Sequence, residues 1–422
     1  MRRFALVIVS LLLAAPAAAD LRGHGGPVKA IAVSPDGSRV VSGSFDASAI
    51  LWSPARHAAE AVLRGHDGAV NAIAFARDGR FATGGDDGRI LLWRADGTGP
   101  ERILTGHEAK VTALAVSPDG RLLVSSAWDR TVRLWHLEAD APARVLEGHA
   151  DNAVNAVGWL PDGSAVVSAG YDGTLRLWPL DGSAPKPLAE LGLPLNALAV
   201  LPDGTVAVAG AEGTVSLVAR TGGVLRRLEG GAAPVITLAV DAAGNRLAAG
   251  GIRGSVAIWS LPDGRLLRTL SGPGLPVWAV AFAPDGVLWT GGTDRMVRRW
   301  DAETGVHLGA AGLAEVEVAS DHPGARVFRA CAACHTLKGD SANRAGPTLA
   351  RLFGRRIATV PDYSYSEALR RMDIVWTRET VAALFTLGPS AYTPGTKMPE
   401  QVVGSREDLE ALLDFLEIAT GG

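Results

Sequence analysis

From residue 21 to about residue 310 the chain alternates short apolar runs with tight polar turns, and the alternation keeps a fixed phase. The run Val28, Ala30, Ile31, Val33 has the near-alternating character of a half-buried strand. It ends in Ser34-Pro35-Asp36-Gly37, and the same kind of turn recurs at residues 76–79, 117–120, 160–163, 201–204, 241–244 and 283–286. Proline presets φ and glycine accepts a positive φ, so each turn joins two short strands into a hairpin. A small-residue strand follows, as in Val40-Val41-Ser42-Gly43, and then a tryptophan: Trp52, Trp93, Trp135, Trp178, Trp259 and Trp300, with Val218 filling the gap. Successive steps are 40 to 43 residues. Four short strands per period of this length predict the blades of a β-propeller, and seven periods close a ring.

Four of the periods carry the same polar set at matching positions: His24, Ser42, Asp46 and Trp52; His66, Thr83, Asp87 and Trp93; His107, Ser125, Asp129 and Trp135; His149, Ser168, Asp172 and Trp178. The repeat resembles the WD-repeat propeller family. The resemblance implies that each set is linked by hydrogen bonds inside its blade, so these histidines and tryptophans are structural cross-links rather than metal ligands or a stacking platform. The seventh period keeps Thr290, Asp294 and Trp300 but has Gly272-Pro273 where Gly-His would stand. Periods five and six are eroded, with Glu212 and Arg253 at the aspartate position. Once residues 1–19 are removed as a leader, only Asp20-Leu21-Arg22 precede the first Gly-His, too few for a strand, while Gly305-Val306-His307-Leu308 follows Trp300. The expectation is that the C-terminal side completes blade seven by itself.

The N-terminus has a different character. Met1-Arg2-Arg3 is a basic head, residues 4–15 are almost unbroken apolar sequence, and Pro16-Ala17-Ala18-Ala19 supplies small residues before Asp20. That order is a secretory signal peptide over 1–19. The apolar run is shorter than the roughly 20 residues a bilayer span needs. The expected mature protein is exported to the periplasm and has no membrane span. A formal net charge of −3 is too small to point to nucleic acid or an anionic lipid surface as partner.

The chemistry is concentrated after the repeats. Both cysteines of the chain lie in Cys331-Ala332-Ala333-Cys334-His335, and a C-x-x-C-H run is the attachment signature of a c-type haem. The two thiols are spaced to form thioethers with the vinyl groups on one edge of the porphyrin, and the histidine that follows becomes the proximal iron ligand. A thioredoxin-like dithiol has no need of that histidine and expects a βαβ context that is missing. A structural zinc site would want four ligands, and there is no second cysteine pair. The expected cofactor is one covalently bound haem c with its iron.

Residues 311–322, with Glu315, Glu317 and Asp321, read as a short acidic linker. Residues 323–422 resemble small class I cytochromes c of the mitochondrial and c2 type along their whole length, so the expected architecture is an all-β seven-bladed propeller over 20–310 followed by a small all-α domain. The resemblance rests on Gly346-Pro347-Thr348-Leu349, Leu352-Phe353-Gly354-Arg355-Arg356, Tyr363-Ser364-Tyr365-Ser366, and the loop Tyr392-Thr393-Pro394-Gly395-Thr396-Lys397-Met398-Pro399. It implies that the Pro347 carbonyl holds the His335 ring N–H, that Arg355, Tyr365 and Trp376 are propionate partners, and that Met398 is the sixth ligand. Met372, the other methionine of this region, lacks the Pro-Gly loop that thrusts a side chain at iron. The resemblance also implies a helix opening at Gly324 and Phe328, crossed by a closing helix over residues 409–418 with Phe415 inward. Phe385 and Leu369 stand where many relatives have a tyrosine and an asparagine, and both changes dry the distal side. Lys338 and Lys397, with Arg344 and Arg351, are candidates for docking a redox partner.

With both axial positions filled, no vacancy remains for oxygen, peroxide or nitrite, and the site is expected to carry electrons rather than to catalyse. The expectation is a periplasmic monohaem electron carrier tethered to a propeller that binds a redox partner protein. Two other readings stay open: the propeller is itself an oxidoreductase with the cytochrome as its built-in acceptor, or the haem is a redox sensor that switches propeller binding.

Overall fold

The computed structural model describes residues 20–150, 153–231, 233–271, 276–309, 322–328, 331–332, 335–339, 346–361, 363, 365–396, 398 and 402–421. Among these, the β-strands form seven four-stranded antiparallel sheets. Blade one runs Val28–Val33, Val40–Ser44, Ser48–Ser53 and Ala58–Arg64, each strand bonded to the next. Blades two to six repeat this order, and the innermost strands pack side by side around the ring, with Val277–Phe282 of blade seven returning to Val28–Val33. The expected turns are present: the Gly37 N–H donates to the Ser34 carbonyl at 2.8 Å with Gly37 at φ +71°, a conformation that only glycine adopts without strain.

The polar set of each conserved period is a closed network. In blade one, His24 Nε2 meets Ser42 Oγ at 2.7 Å, Trp52 Nε1 donates to the same oxygen at 2.7 Å, and His24 Nδ1 meets Asp46 Oδ2 at 3.2 Å. Since Ser42 Oγ accepts from the indole and Asp46 accepts from the imidazole, the four side chains are joined into one chain of hydrogen bonds. The other three sets repeat the pattern, with histidine-to-hydroxyl distances of 2.8, 2.7 and 2.8 Å. In blade six, which lacks the set, Trp259 Nε1 donates instead to the Glu229 carbonyl at 2.9 Å. The tryptophan is kept as core while its cross-link is lost.

Blade seven corrects one expectation. Its outer strand comes first from the N-terminal side: Leu21–Arg22 pairs with Met296–Asp301 through Leu21↔Val297 and Arg22↔Met296. Two residues suffice because the edge is composite. At the other end of the same strand Trp300 bridges His307, and the Leu308 N–H donates to the Arg299 carbonyl at 2.8 Å. Asp20 ties the two pieces together, its Oδ1 lying 2.8 Å from His307 Nε2, and Leu21 is fully buried. Gly272-Pro273, the linker residues 311–321 and the segment 1–19 lie outside the described residues.

The networks make the propeller sensitive to acid. Burial alone would raise the Asp46 pKa. The His24 charge, the hydrogen bonds from His24 and Ser48, and the Gly25 N–H at 2.7 Å outweigh it and bring it down to about 2. The folded value lies below the unfolded one, so the contribution is complete above about pH 4 and is lost as pH falls toward 2. It amounts to roughly 2 kcal/mol for this one carboxylate. Asp46→Asn is expected to lower stability at pH 7 and to flatten the pH 4-to-2 limb of a urea-denaturation series. An unchanged limb would show that Asp46 does not carry it.

The C-terminal region is helical. It comprises α1 (Pro323–Phe328), α2 (Glu367–Arg371), α3 (Arg378–Leu387), α4 (Pro389–Tyr392) and α5 (Arg406–Thr420). Helix α1 crosses α5 so closely that a Cβ on Gly324 would lie 1.9 Å from the Ala411 carbonyl oxygen. Only glycine fits, as the sequence anticipates. Phe328 and Phe415 meet behind the crossing with ring centroids 5.5 Å apart, both nearly fully buried. Arg378 pins α3 to α5 through Glu410, Asp414 and Glu417. No helix among the described residues is long and apolar enough to cross a membrane.

Candidate haem site

The helices surround a cavity of about 400 Å³, and its lining includes Cys331, His335, Pro347, Met398, Arg355, Tyr365 and Trp376. The structure therefore brings together every candidate site residue except Cys334, which lies outside the described residues together with Lys397 and Arg344. Lys338 and Arg351 are exposed.

His335 is held from behind. Its Nδ1 lies 2.7 Å from the Pro347 carbonyl oxygen. A carbonyl can only accept, so Nδ1 carries the proton and Nε2 keeps the ring lone pair, the tautomer a metal-binding imidazole needs. Gly346 makes the fit possible: a Cβ there would stand 2.5 Å from His335 Cε1 and 2.9 Å from Nε2. The loop motif at residues 346–349 does not by itself distinguish Gly346 in the sequence. The signal was a glycine directly before the proline whose carbonyl receives the imidazole.

Cys331, at the end of α1, is buried, and burial pushes its thiol up to about 12 against the opposing charge of Arg295. It is a neutral thiol at ordinary pH, suited to a thioether rather than to a thiolate–metal bond. Arg295 belongs to the tight turn that leads into the Met296–Asp301 strand of blade seven.

Arg355 is clamped by two carbonyls, Nη1 to Ala350 at 2.8 Å and Nη2 to Thr348 at 2.8 Å. The backbone around it is bridged to the segment before α3 by Gly354 N to Trp376 O at 2.8 Å and Trp376 N to Arg355 O at 2.9 Å. Burial draws the Arg355 pKa down from its ordinary value, yet a guanidinium stays charged at any ordinary pH. A fixed cation beside Tyr365 and Trp376, both donors, is a set that receives carboxylates.

Met398 is presented by a braced loop. Its N–H donates to Thr396 Oγ1 at 3.1 Å, Thr393 Oγ1 donates to the Pro389 carbonyl at 2.8 Å, and Ser366 Oγ donates to the Gly395 carbonyl at 3.0 Å. Ser366 also caps α2, so one hydroxyl ties that helix to the loop. Sequence reasoning did not single out these braces, because a lone Ser or Thr in a loop carries no distinguishing signal. Met372 ends α2 and does not line the cavity. Leu369 and Phe385 do line it, next to Val381 and Leu384, so the wall around Met398 is apolar. The donor set thus fits a haem: a lone-pair nitrogen, a soft thioether, a buried thiol and carboxylate receptors around an apolar cavity.

The cytochrome c family matches residues 322–419, and the WD domain, G-beta repeat family matches residues 17–53, 59–94, 99–136, 141–179 and 264–301. The single long unmatched stretch, residues 180–263, covers the eroded periods five and six. Among curated proteins, a cytochrome c of Cochliobolus lunatus is 40% identical over 98 residues, 23% of this chain and 90% of that protein. A cytochrome c of Arabidopsis thaliana is 37% identical over 110 residues, 26% of this chain and 97% of that protein. A cytochrome c homolog of Rickettsia typhi is 34% identical over 102 residues, 24% of this chain and 58% of that protein. By this likeness the domain carries one covalently bound haem c with its iron, and its work is electron transfer. The chain belongs to the cytochrome c family through its C-terminal domain, which it carries behind a WD-repeat propeller of the protein-interaction type.

Proposed function

We propose that this is an exported, periplasmic electron carrier: a signal peptide over 1–19, a docking propeller over 20–310, a connector over 311–322 and a His/Met-ligated monohaem cytochrome over 323–422. Cys331 and Cys334 form the thioethers, His335 and Met398 are the axial ligands, and Arg355, Tyr365 and Trp376 receive the propionates. The observation that carries the reading is that His335, with Nδ1 already committed to Pro347, shares one apolar cavity with Met398. When bound, the haem iron supplies a single-electron couple between the ferric and ferrous states.

The chain's own residues set the terms of that couple. Pro347 fixes the imidazole in the ligating tautomer, and the Thr393–Thr396 bracing keeps the Met398 loop from retracting. Phe385 and Leu369 exclude water from the thioether side, which favours the less charged, reduced state. Arg355 balances carboxylate charge without a mobile proton. The propeller supplies the partner: exposed Trp128, Tyr171 and Phe45 stand in the turns of three blades, residue types that concentrate in protein interfaces.

The reading is tested by exposing the purified ferrous holoprotein to carbon monoxide. With two protein ligands in place, the spectrum should remain that of a six-coordinate low-spin haem. Rapid carbon monoxide binding at neutral pH would mean an open coordination position, and the carrier assignment would give way to a haem enzyme or sensor.

A further inference from the structure

The haem cavity is not walled by the cytochrome alone. Arg64, the last residue of the outer strand of blade one, stands on its rim with Asp46 and Ser48 of blade one and Asp67 of blade two. The Arg64 guanidinium lies over the Tyr363 ring, 4.3 Å from its centroid, and the Tyr363 ring in turn meets Tyr365 edge-on at 4.7 Å. A cation of the propeller is therefore separated by a single ring, Tyr363, from Tyr365 of the propionate-receiving set.

Arg64 makes no ion pair among the described residues, although two carboxylates share the same rim. Asp46 is committed to His24, the Gly25 N–H and Ser48, and Asp67 to Arg89 at 2.6 Å. Arg89 also donates to the Gly65 carbonyl at 2.9 Å, which fixes the backbone next to Arg64. The result is a half-buried guanidinium on a rigid support, turned toward a cavity whose occupant brings two carboxylates. Leaving such a cation without a counter-charge is costly, and a propionate supplies one.

We propose that Arg64 is a positioning residue of the haem site, supplied by the propeller. It orders the Tyr363–Tyr365 wall by stacking and adds a second cation, beside Arg355, to the side of the cavity that receives the propionates. The propeller is then part of the haem's electrostatic environment, and the potential of the couple is a property of both domains. This inference rests on the haem assignment and on the seating of the propionates near Arg355, and not on the identity of the sixth ligand.

A cation near the haem stabilises the reduced state, since reduction lowers the net charge of the iron centre. At a separation of about 10 Å, charge–charge interaction in a surface-like medium changes the oxidised-to-reduced ratio by roughly two- to tenfold. The test is a redox titration of the full-length holoprotein as wild type and in four variants. At a fixed ambient potential near the wild-type midpoint, Arg64→Ala should raise the oxidised-to-reduced ratio about two- to tenfold, and Arg64→Glu should raise it further. Arg64→Lys should keep the ratio nearer that of the wild type, because it keeps the charge. Arg56→Ala serves as control, since Arg56 lies on the same blade, is mostly exposed and pairs with Glu60. Covalent haem content and the low-spin spectrum are recorded for each form. If the Arg64 variants titrate with the wild type while their spectra stay intact, the proposal is overturned. If the ratio shifts equally in Arg56→Ala, a local role for Arg64 is excluded. Loss of His/Met ligation already in the wild type would instead count against the functional reading and leave the Arg64 comparison standing.

Discussion

Met398→Ala is expected to abolish the weak long-wavelength band of a methionine-ligated ferric haem and to open the ferrous protein to carbon monoxide. The midpoint potential should fall by on the order of 0.1–0.3 V, within the ~0.8 V range that axial ligands span. The size of the effect follows from the surroundings as much as from the sulfur. Met398 sits against the apolar wall of Leu369, Leu384 and Phe385, so truncation leaves no polar side chain on that wall to take its place. The backbone that carries it is tied independently through Thr396, Thr393 and Ser366, and the loop should keep its position. Met372→Ala should leave the spectrum and potential unchanged, because that side chain ends α2 away from the cavity. A band that survives in Met398→Ala would exclude the thioether of Met398 as sixth ligand. Absorption spectroscopy and protein-film voltammetry on the two variants decide the point.

What could be read in advance follows from how local each signal is. The blades were legible because each repeats a turn and a small-residue strand within about 40 residues, six of the seven with a tryptophan in phase, and because the four-residue networks recur at matching positions in four of them. The haem site was legible because C-x-x-C-H is contiguous and the Met398 loop is a run of eight residues. Blade closure was misread because strand pairing across the whole length of the propeller leaves no local trace. Leu21-Arg22 carries no pattern of its own, and only the free edge of Met296–Asp301 makes it a strand. The same reason hides Arg64. Its neighbours Gly65 and His66 belong to the blade-two pattern, and nothing in them points to Tyr363, which is about 300 residues away. The Ser and Thr braces of the Met398 loop fall between these cases. Their positions are within the matched segment, but their roles come from hydrogen bonds to carbonyls that the residue types do not specify.

The double substitution Cys331→Ala, Cys334→Ala is expected to leave no covalent haem on a denaturing gel while the propeller remains folded. The argument rests on the separation of the two cores. The buried cluster around Phe328, Leu412 and Phe415 contains residues of the C-terminal region only, and the propeller clusters contain residues no later than Ala302. What the structure places between the two is a polar rim, Arg64 over Tyr363, rather than shared apolar packing. For the cytochrome domain the loss is severe. An unfilled cavity of about 400 Å³ costs on the order of 10 kcal/mol if it stays dry. That is comparable with the whole stability of a domain of this size, ~5–15 kcal/mol. The helices α1 to α5 should therefore melt or collapse, and far-ultraviolet circular dichroism should lose its helical component and keep its β component. In calorimetry the propeller transition should remain close to its wild-type temperature, with the cytochrome transition gone. A propeller that melts together with the cytochrome in the double variant would mean one cooperative unit, with the rim contact contributing far more than a cation over a ring can supply.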